Sequence, residues 1–186
     1  MARIRFTLCR DVKYPNRAHE GDAGIDFFIP KLTKEDILAV KVNHEEFLRG
    51  KLQIRVDREG SKIIKTTVTL RDHGRILIPS GVRVLIEPIN SMLMAANKSG
   101  VSTKDGLVYT AEIIDSPYTG EMHIGILNTS ESPVSIDLAE QKKIVQFIHV
   151  PVLLTQPEYI CPSEYEEIAS TWGTRGADGF GSTDNQ

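Results

Sequence analysis

The sequence lacks long apolar runs and has few cysteines. None of its apolar stretches, over 186 residues, is long enough for a signal peptide or a membrane span. The only cysteines, Cys9 and Cys161, lie far apart and have no His or Cys neighbours at metal-ligand spacing. We therefore predict reduced thiols, no membrane partner and a cytoplasmic location, which would be the host cytoplasm if the gene is viral.

A surplus of basic residues is also missing. Lys and Arg number 22 against 25 Asp and Glu, which gives a net charge of -3. Because general nucleic-acid binders normally carry a basic surplus, we predict no nucleic-acid partner. The phosphate-binding loop Gly-x-x-x-x-Gly-Lys-Ser/Thr is absent as well. What remains, with 40% hydrophobic residues, is typical of one soluble globular domain with a sizeable core.

Short apolar runs separated by Gly, Pro, Asn and Asp predict an all-β fold. Ile4, Phe6 and Leu8 alternate with polar residues, which indicates a half-buried strand. Many short strands between turn signals favour a sandwich, barrel or jelly roll over βαβ units. Further runs occur at Ile76–Ile78, Val82–Ile86, Leu107–Tyr109, Met122–Leu127, Val134–Ile136 and Ile144–Val152.

A different pattern lies between the first runs. Asn43 followed by Glu46 is typical of a helix N-terminus, and Gly50 stands where a short helix would end. Leu52–Val56 and Lys62–Leu70 flank a polar, Gly-containing segment, which predicts a hairpin with a longer loop.

The C-terminal segment is the first candidate for chemistry. Gly173–Thr183 contains four glycines, so we expect it to be mobile until something binds it. Arg175, Ser182 and Thr183 supply donors for an anion, and Phe180 supplies a ring that could stack. The pattern fits a phosphate clamp, and it also fits a disordered tail.

Three other segments contain residues suited to a site. Asp115-Ser116-Pro117 follows a strand-like run, where a carboxylate can point into a cleft, but it is also common turn chemistry. Asn97–Gly100 offers a cation, a hydroxyl and a glycine that suit phosphate oxygens. Glu140–Gln146 precedes an apolar strand. Each segment taken alone is equally typical of an ordinary loop or turn.

The order of these segments resembles the five motifs of the trimeric dUTPase family over nearly the whole chain, most specifically in the last motif. The resemblance implies an all-β, β-clip jelly roll that forms homotrimers, with each site assembled from all three subunits. It implies hydrolysis of dUTP to dUMP and pyrophosphate, which keeps uracil out of DNA and supplies dUMP for dTMP synthesis. The matching segments are Ala23-Gly24-Ile25-Asp26, Lys98-Ser99-Gly100, Ile114-Asp115-x-x-Tyr118-x-Gly120, Lys143-Ile144-Val145-Gln146 and Arg175-Gly176-x-x-Gly179-Phe180-Gly181-Ser182-Thr183.

By the same resemblance, the third motif holds the base and the nucleoside. Asp115 would deprotonate the water that attacks the α-phosphorus. Tyr118 would stack on the deoxyribose and leave no room for a 2′-hydroxyl. The backbone at Ile113 and Ile114, with its return near His123, would hydrogen-bond the uracil edge and reject cytosine.

The other motifs would hold the phosphates, and the resemblance implies Mg²⁺ as cofactor, bound through phosphates and waters rather than by direct protein ligands. Lys98, Ser99, Gly100 and Gln146 would contact the phosphate chain. Asp26 would act indirectly, by orienting motif residues or the waters bound to the metal. The tail would close over the site as a lid, through Arg175, Phe180, Gly181, Ser182 and Thr183.

The sequence also departs from the family pattern. Lys98 and Lys143 stand where Arg is usual, Pro117 stands for a second Asp, and Glu112 stands for Gly. We expect activity to persist, because the base, the stacking Tyr and the tail are present. We divide the chain into a β domain at 1–170, with an insert at about 31–73, and a tail at 171–186. The insert is either a surface decoration or a site for a protein partner.

Two alternatives stay open at this stage. A dCTP deaminase shares the fold, but it would need a Glu where Gly125 stands. A regulatory protein gated by nucleotide would use the same site as a switch, and its function would then lie in the insert.

Overall fold

The computed structural model describes residues 2–32, 36, 50, 52–138 and 142–172. The chain divides into two compact units, Met1–Leu153 and Leu154–Gln186. Helix α2 belongs to the second unit, and the other elements belong to the first. The elements are β1 (Arg3–Leu8), β2 (Gly24–Phe28), β3 (Leu52–Glu59), β4 (Lys62–Leu70), β5 (Arg75–Glu87), β6 (Ser91–Asn97), α1 (Ser99–Asp105), β7 (Leu107–Tyr109), β8 (Ile113–Asp115), β9 (Glu121–Asn128), β10 (Val134–Asp137), β11 (Lys143–Pro151) and α2 (Pro162–Trp172).

The strands form three antiparallel sheets, which confirms the all-β prediction. Their orders are β1-β5-β9-β7, β10-β4-β3 and β2-β11-β6-β8. Strands β6 and β11 pair along most of their length, from Val145 opposite Asn97 to Pro151 opposite Ser91. No helix among the described residues is long and apolar enough to cross a membrane.

Aromatic rings join the two four-stranded sheets in the core. The Phe27 ring of β2 lies 4.7 Å from that of Phe147 in β11, centroid to centroid, and 5.9 Å from that of Phe6 in β1. Tyr109 of β7 packs edge-on against Phe147 at 5.9 Å. Edge-to-face rings at these distances add to the free energy of burial. These contacts fix β2 and β11, and β6 pairs with β11, so the three strands bring the first, second and fourth motifs together.

The turn signal Pro79-Ser80-Gly81 does not separate two strands, contrary to the sequence pattern. Ile76–Ile78 and Val82–Ile86 are parts of the single strand β5, and the register against β9 shifts between Pro79 and Arg83. Gly81 has φ +73°, a conformation that side chains disfavour. The breaker residues therefore form a bulge inside one strand.

Strands β2 and β6 and helices α1 and α2 were not predicted. All five residues of β2 are buried, so the strand shows no polar alternation. The Met92–Ala96 run of β6 consists of residues that favour helices as readily as strands. Tertiary packing against β11 decides its conformation.

The predicted hairpin is confirmed by the pairing of β3 with β4. The end of the hairpin opposite its loop belongs to the core, because Val68 and Leu70 of β4 are fully buried and pair with β10. The helix predicted from Asn43 lies outside the described residues.

Candidate nucleotide site

A buried carboxylate holds two lysines at the junction of β2, β6 and β11. Asp26 of β2 is 4% exposed, and one of its oxygens accepts a hydrogen bond from Lys98. The other oxygen lies 2.9 Å from the Lys143 ammonium, which also sits 5.5 Å from the centre of the Phe28 ring. Burial alone would raise the pKa of Asp26, but the hydrogen bonds from both lysines more than offset it, and the pKa is lowered.

Gln146 lies beside this carboxylate in the register of β11. It stands opposite Asp26 of β2 and Ala96 of β6. Its amide donates to the Asn97 carbonyl at 3.3 Å. A Cβ on Gly24 would come within 2.2 Å of the Gln146 Oε1. Gly24 is therefore required for close approach of the glutamine, and the first and fourth motifs meet here.

The second motif forms the start of helix α1. Lys98 is the extended N-cap, with φ -83° and ψ 124°, and Ser99 begins the helix. The first N–H groups of a helix point away from it without intrahelical partners, so they can donate to an anion. Ser99 and Gly100 are exposed, and a Cβ on Gly100 would meet no atom of the described residues within 4 Å.

The third motif forms a tight turn between β8 and β9. The Tyr118 amide donates to the Asp115 carbonyl at 3.0 Å, and the Tyr118 hydroxyl donates to the Glu121 carbonyl at 2.7 Å. A Cβ on Gly120 would come within 2.6 Å of the Tyr118 ring, so the ring lies directly over that glycine. Asp115 and Tyr118 are both exposed.

The two strands that flank this turn belong to different sheets. Ile113, Ile114 and Asp115 of β8 pair with β6, whereas β9 pairs with β5 and β7. The His123 ring contacts the Glu121 carbonyl at 2.9 Å through Nδ1. β8 and β9 pair with other strands and not with each other. No ladder hydrogen bonds between these two strands therefore occupy their backbone N–H and C=O groups beside the turn.

Strand β5 holds this turn in place through Gly81, Arg83 and Ile86, none of which was predicted as a site residue. The buried Ser116 hydroxyl donates to the Ile86 carbonyl at 2.7 Å. Arg83 donates to the Thr119 carbonyl at 2.8 Å. Glu121 accepts from the Gly81 amide at 2.8 Å. No local pattern marks these contacts, since they join residues about 30 to 40 positions apart.

One chain does not bring the predicted residues into a single site. Asp115 pairs with Met92, near the start of β6, whereas Lys98 and Ser99 follow Asn97 at its other end. Five residues at about 3.3 Å each separate Met92 from Asn97 by roughly 17 Å. The groups suited to an anion and the carboxylate-bearing turn are therefore two separate clusters within one protomer. The predicted tail residues Arg175, Phe180, Gly181, Ser182 and Thr183 lie outside the described residues.

The fold and these clusters define the class: an antiparallel β protein in which the junction around Asp26 presents lysines and helix N–H groups suited to an anion, and a separate turn presents a carboxylate. Residues 63–184 match the family model described as dUTPase. The chain belongs to the dUTPase family, a family of jelly-roll proteins that generally assemble as trimers.

Known relatives agree with this assignment. The chain is 35% identical over 122 residues to the deoxyuridine 5'-triphosphate nucleotidohydrolase of Fusobacterium nucleatum, covering 64% of this chain and 77% of the relative. The Haemophilus ducreyi protein of the same name is 29% identical over 126 residues, covering 67% and 77%. A mutant of Staphylococcus bacteriophage 80alpha dUTPase with dUpNHpp has the same fold, with a TM-score of 0.67, 20% identity, and 97% and 98% coverage.

Proposed function

We propose that this chain hydrolyses dUTP to dUMP and pyrophosphate. The observation that carries the proposal is the exposed Asp115 on the same tight turn as the Tyr118 ring, within a chain that belongs to the dUTPase family. Asp115 takes a proton from a water molecule as that water attacks the α-phosphorus. The bond from the α-phosphorus to the bridging oxygen breaks, and pyrophosphate leaves.

The turn would also bind the nucleoside. The Tyr118 ring, held by its own hydroxyl and lying over Gly120, is placed to pack against deoxyribose and to exclude a 2′-hydroxyl. The backbone at Ile113, Ile114 and His123 would pair with the uracil edge. Cytosine presents the opposite donor and acceptor pattern, so it would leave buried groups unpaired.

The anion-binding junction would hold the phosphates. Ser99 and Gly100 offer N–H groups at the exposed start of α1, and Gln146 and Lys98 lie beside them. Lys98 contributes positive charge near the site while Asp26 holds its ammonium in place. Arg175, Phe180, Gly181, Ser182 and Thr183 would close over the bound nucleotide from the tail.

Magnesium is the cofactor that the dUTPase family generally uses. Both oxygens of Asp26 carry a lysine, and within the described ranges no group of three or more His, Cys, Asp or Glu could hold an ion. These residues fit an ion bound by substrate phosphates and waters, which is the coordination that Mg²⁺ favours. When bound, the ion would neutralise phosphate charge.

A trimer would unite the two clusters. The separation of roughly 17 Å along β6 supports sites in which the base of one protomer works with the phosphate-binding residues of another. We propose a homotrimer in which three chains contribute to each site, located in the cytoplasm. The division into a β domain at 1–170 and a closing tail at 171–186, and a protein partner at 31–73, also remain proposals.

Pyrophosphate release with Mg²⁺ tests the function directly. We would compare dUTP, dCTP, dTTP and UTP for the wild type and for a truncation before Arg175. Turnover confined to dUTP, and greatly weakened by the truncation, is the expected result. Tight dUTP binding without turnover would instead indicate the nucleotide-gated regulatory protein.

Deamination of dCTP is the less favoured activity on this fold. Gly125 is buried, and a Cβ there would lie 2.4 Å from the Thr110 hydroxyl. A catalytic Glu could not be placed at that position unless Thr110 moved. Release of ammonia from dCTP would contradict this inference.

A further inference from the structure

We propose that Glu121 is a positioning residue that, with Arg10, holds the Tyr118 ring where it selects deoxyribose over ribose. This inference rests on the proposed hydrolysis of dUTP. It concerns a side chain outside the five motifs and predicts a change in sugar selectivity.

The Glu121 carboxylate is fixed at three points. Arg10 donates to its two oxygens from Nε at 2.7 Å and from Nη2 at 3.2 Å. The Gly81 amide donates at 2.8 Å, which ties the carboxylate to the bulge of β5. A bidentate guanidinium pair of this kind sets direction as well as distance. The Glu121 side chain is only 19% exposed, so solvent weakens the pair less than it would at the surface.

The backbone of the same residue holds the Tyr118 and His123 side chains. The Glu121 carbonyl accepts from the Tyr118 hydroxyl at 2.7 Å and contacts His123 Nδ1 at 2.9 Å. A shift of the Glu121 backbone therefore moves both rings together. The hydrogen bonds that the Glu121 carboxylate accepts from Arg10 and from the Gly81 amide of the bulge, which we call the clamp, prevent that shift.

Burial and charge agree with a stable clamp. Burial alone would raise the pKa of Glu121, but hydrogen bonds from Arg10 and the Gly81 amide lower it overall. The carboxylate therefore stays ionised at neutral pH. Arg10 also donates to Asp36 from Nη1 at 3.2 Å. Nη1 is the guanidinium nitrogen that does not bond to Glu121.

Sugar selectivity depends on small distances. Tyr118 excludes a 2′-hydroxyl only while its ring stays close to the sugar, and a misplacement of about 1 Å at a positioned group can cost about 100-fold in rate. If the clamp is lost, the ring gains room to move away. UTP would then be accepted more readily while Asp115 remains intact.

The test is the ratio of kcat/KM for dUTP to that for UTP in Glu121→Gln. The substitution keeps size and shape but loses the charge-assisted pair. We expect the ratio to fall about tenfold, mainly through a higher KM for dUTP and a higher rate with UTP. Arg10→Lys keeps the charge without the fork, and we expect an intermediate fall.

The matched control is Asp11→Asn. It breaks the exposed Asp11–Lys31 ion pair, 2.8 Å long, next to Arg10 in the chain but without a contact to the turn. The ratio should stay at the wild-type value. The double variant Arg10→Gln, Glu121→Gln should lose no more selectivity than Arg10→Gln alone or Glu121→Gln alone, because each substitution removes the same clamp.

Two results would overturn the inference, and they differ from failure of the proposed function. A wild-type ratio in both Glu121→Gln and Arg10→Lys, with only thermal stability lowered, would make the clamp purely structural. If the wild type does not hydrolyse dUTP, the proposed function fails. Calorimetric binding of dUMP and UMP then tests the clamp separately, and an unchanged preference in Glu121→Gln would overturn it.

Discussion

At the scale of single residues, the departures from the family pattern meet at one carboxylate. Lys98 and Lys143 each stand where Arg is usual, and each donates to a different oxygen of Asp26. A lysine makes one compact contact, whereas an arginine could occupy both oxygens at once. The two lysines together therefore satisfy a buried group that an unpaired charge would destabilise.

Asp26→Asn should lower the free energy of unfolding by about 1–2 kcal/mol at neutral pH, since it leaves two partly exposed lysines without their partner. The pKa of Asp26 is lowered from 3.8 in the folded protein. Its stabilisation is therefore full above pH 3.8 and is lost as the pH falls through the folded pKa. Urea unfolding at a series of pH values measures this, with Asp11→Asn as control. A gap between wild type and variant that stays constant to low pH would contradict the assignment.

Asp115→Asn should lower kcat for dUTP by about 10²–10⁴-fold, the contribution typical of a general base. The side chain is exposed, so the melting temperature should change little. Asp105→Asn, also exposed, at the end of α1, is the matched control and should keep wild-type kcat. Equal losses in both variants, or none in Asp115→Asn, would rule out the proposed role.

At the scale of elements, strand β5 connects the fold to the site. Its bulge at Pro79–Arg83 turns the Gly81 amide towards Glu121, and its later residues hold Ser116 and Thr119. The same bulge packs against the segment after β1, where a Cβ on Gly81 would lie 2.9 Å from Val12 Cγ1. The Pro79-Ser80-Gly81 signal, which predicted a break between strands, therefore helps to position the turn that carries Asp115.

Gly81→Ala should lower the free energy of unfolding by about 2–4 kcal/mol, from left-handed backbone strain and overpacking together. Gly60→Ala has a similar φ of +59° but no atom within 4 Å, so it should cost only about 1 kcal/mol. Denaturant unfolding of both variants separates the strain from the contact. Equal losses would show that the contact with Val12 contributes nothing.

At the scale of the whole molecule, the geometry of β6 supports the proposed trimer. Asp115, the proposed base, lies near one end of this strand and the start of α1 follows its other end. A symmetric oligomer can place the first end of one chain against the second end of another. Sedimentation should therefore show about three times the chain mass of 20.7 kDa.

Mixed trimers would show that sites are shared. Asp115→Asn alone should be nearly inactive, and so should Ser99→Asp, whose carboxylate would repel the phosphates, but their one-to-one mixture after subunit exchange should recover up to about a quarter of wild-type activity. Hybrid trimers contain sites in which Asp115 comes from one variant and Ser99 from the other. Each variant taken through the same exchange alone is the control. No recovery in a confirmed hybrid would place both residues of a site on one chain.

Local patterns determined the strand class, the hairpin of β3 and β4, and the candidate motifs. Turn residues and period-2 alternation depend on neighbours in sequence, so they can be interpreted without a fold. The sequence also indicated Asp115 and Tyr118, but only through the order of the motifs. The tail lies outside the described residues, so its role stays a prediction.

Only the tertiary structure decided what depends on distant partners. Whether Pro79–Gly81 ends a strand or bulges it depends on Val12 and Glu121. The buried strand β2 has no polar alternation, so burial hid it from the pattern. The hydrogen bonds between Arg10 and Glu121 join residues 111 positions apart. The placement of Asp115 and Ser99 near opposite ends of β6 depends on strand register. Such contacts form because folding brings remote segments together, and no local signal contains them.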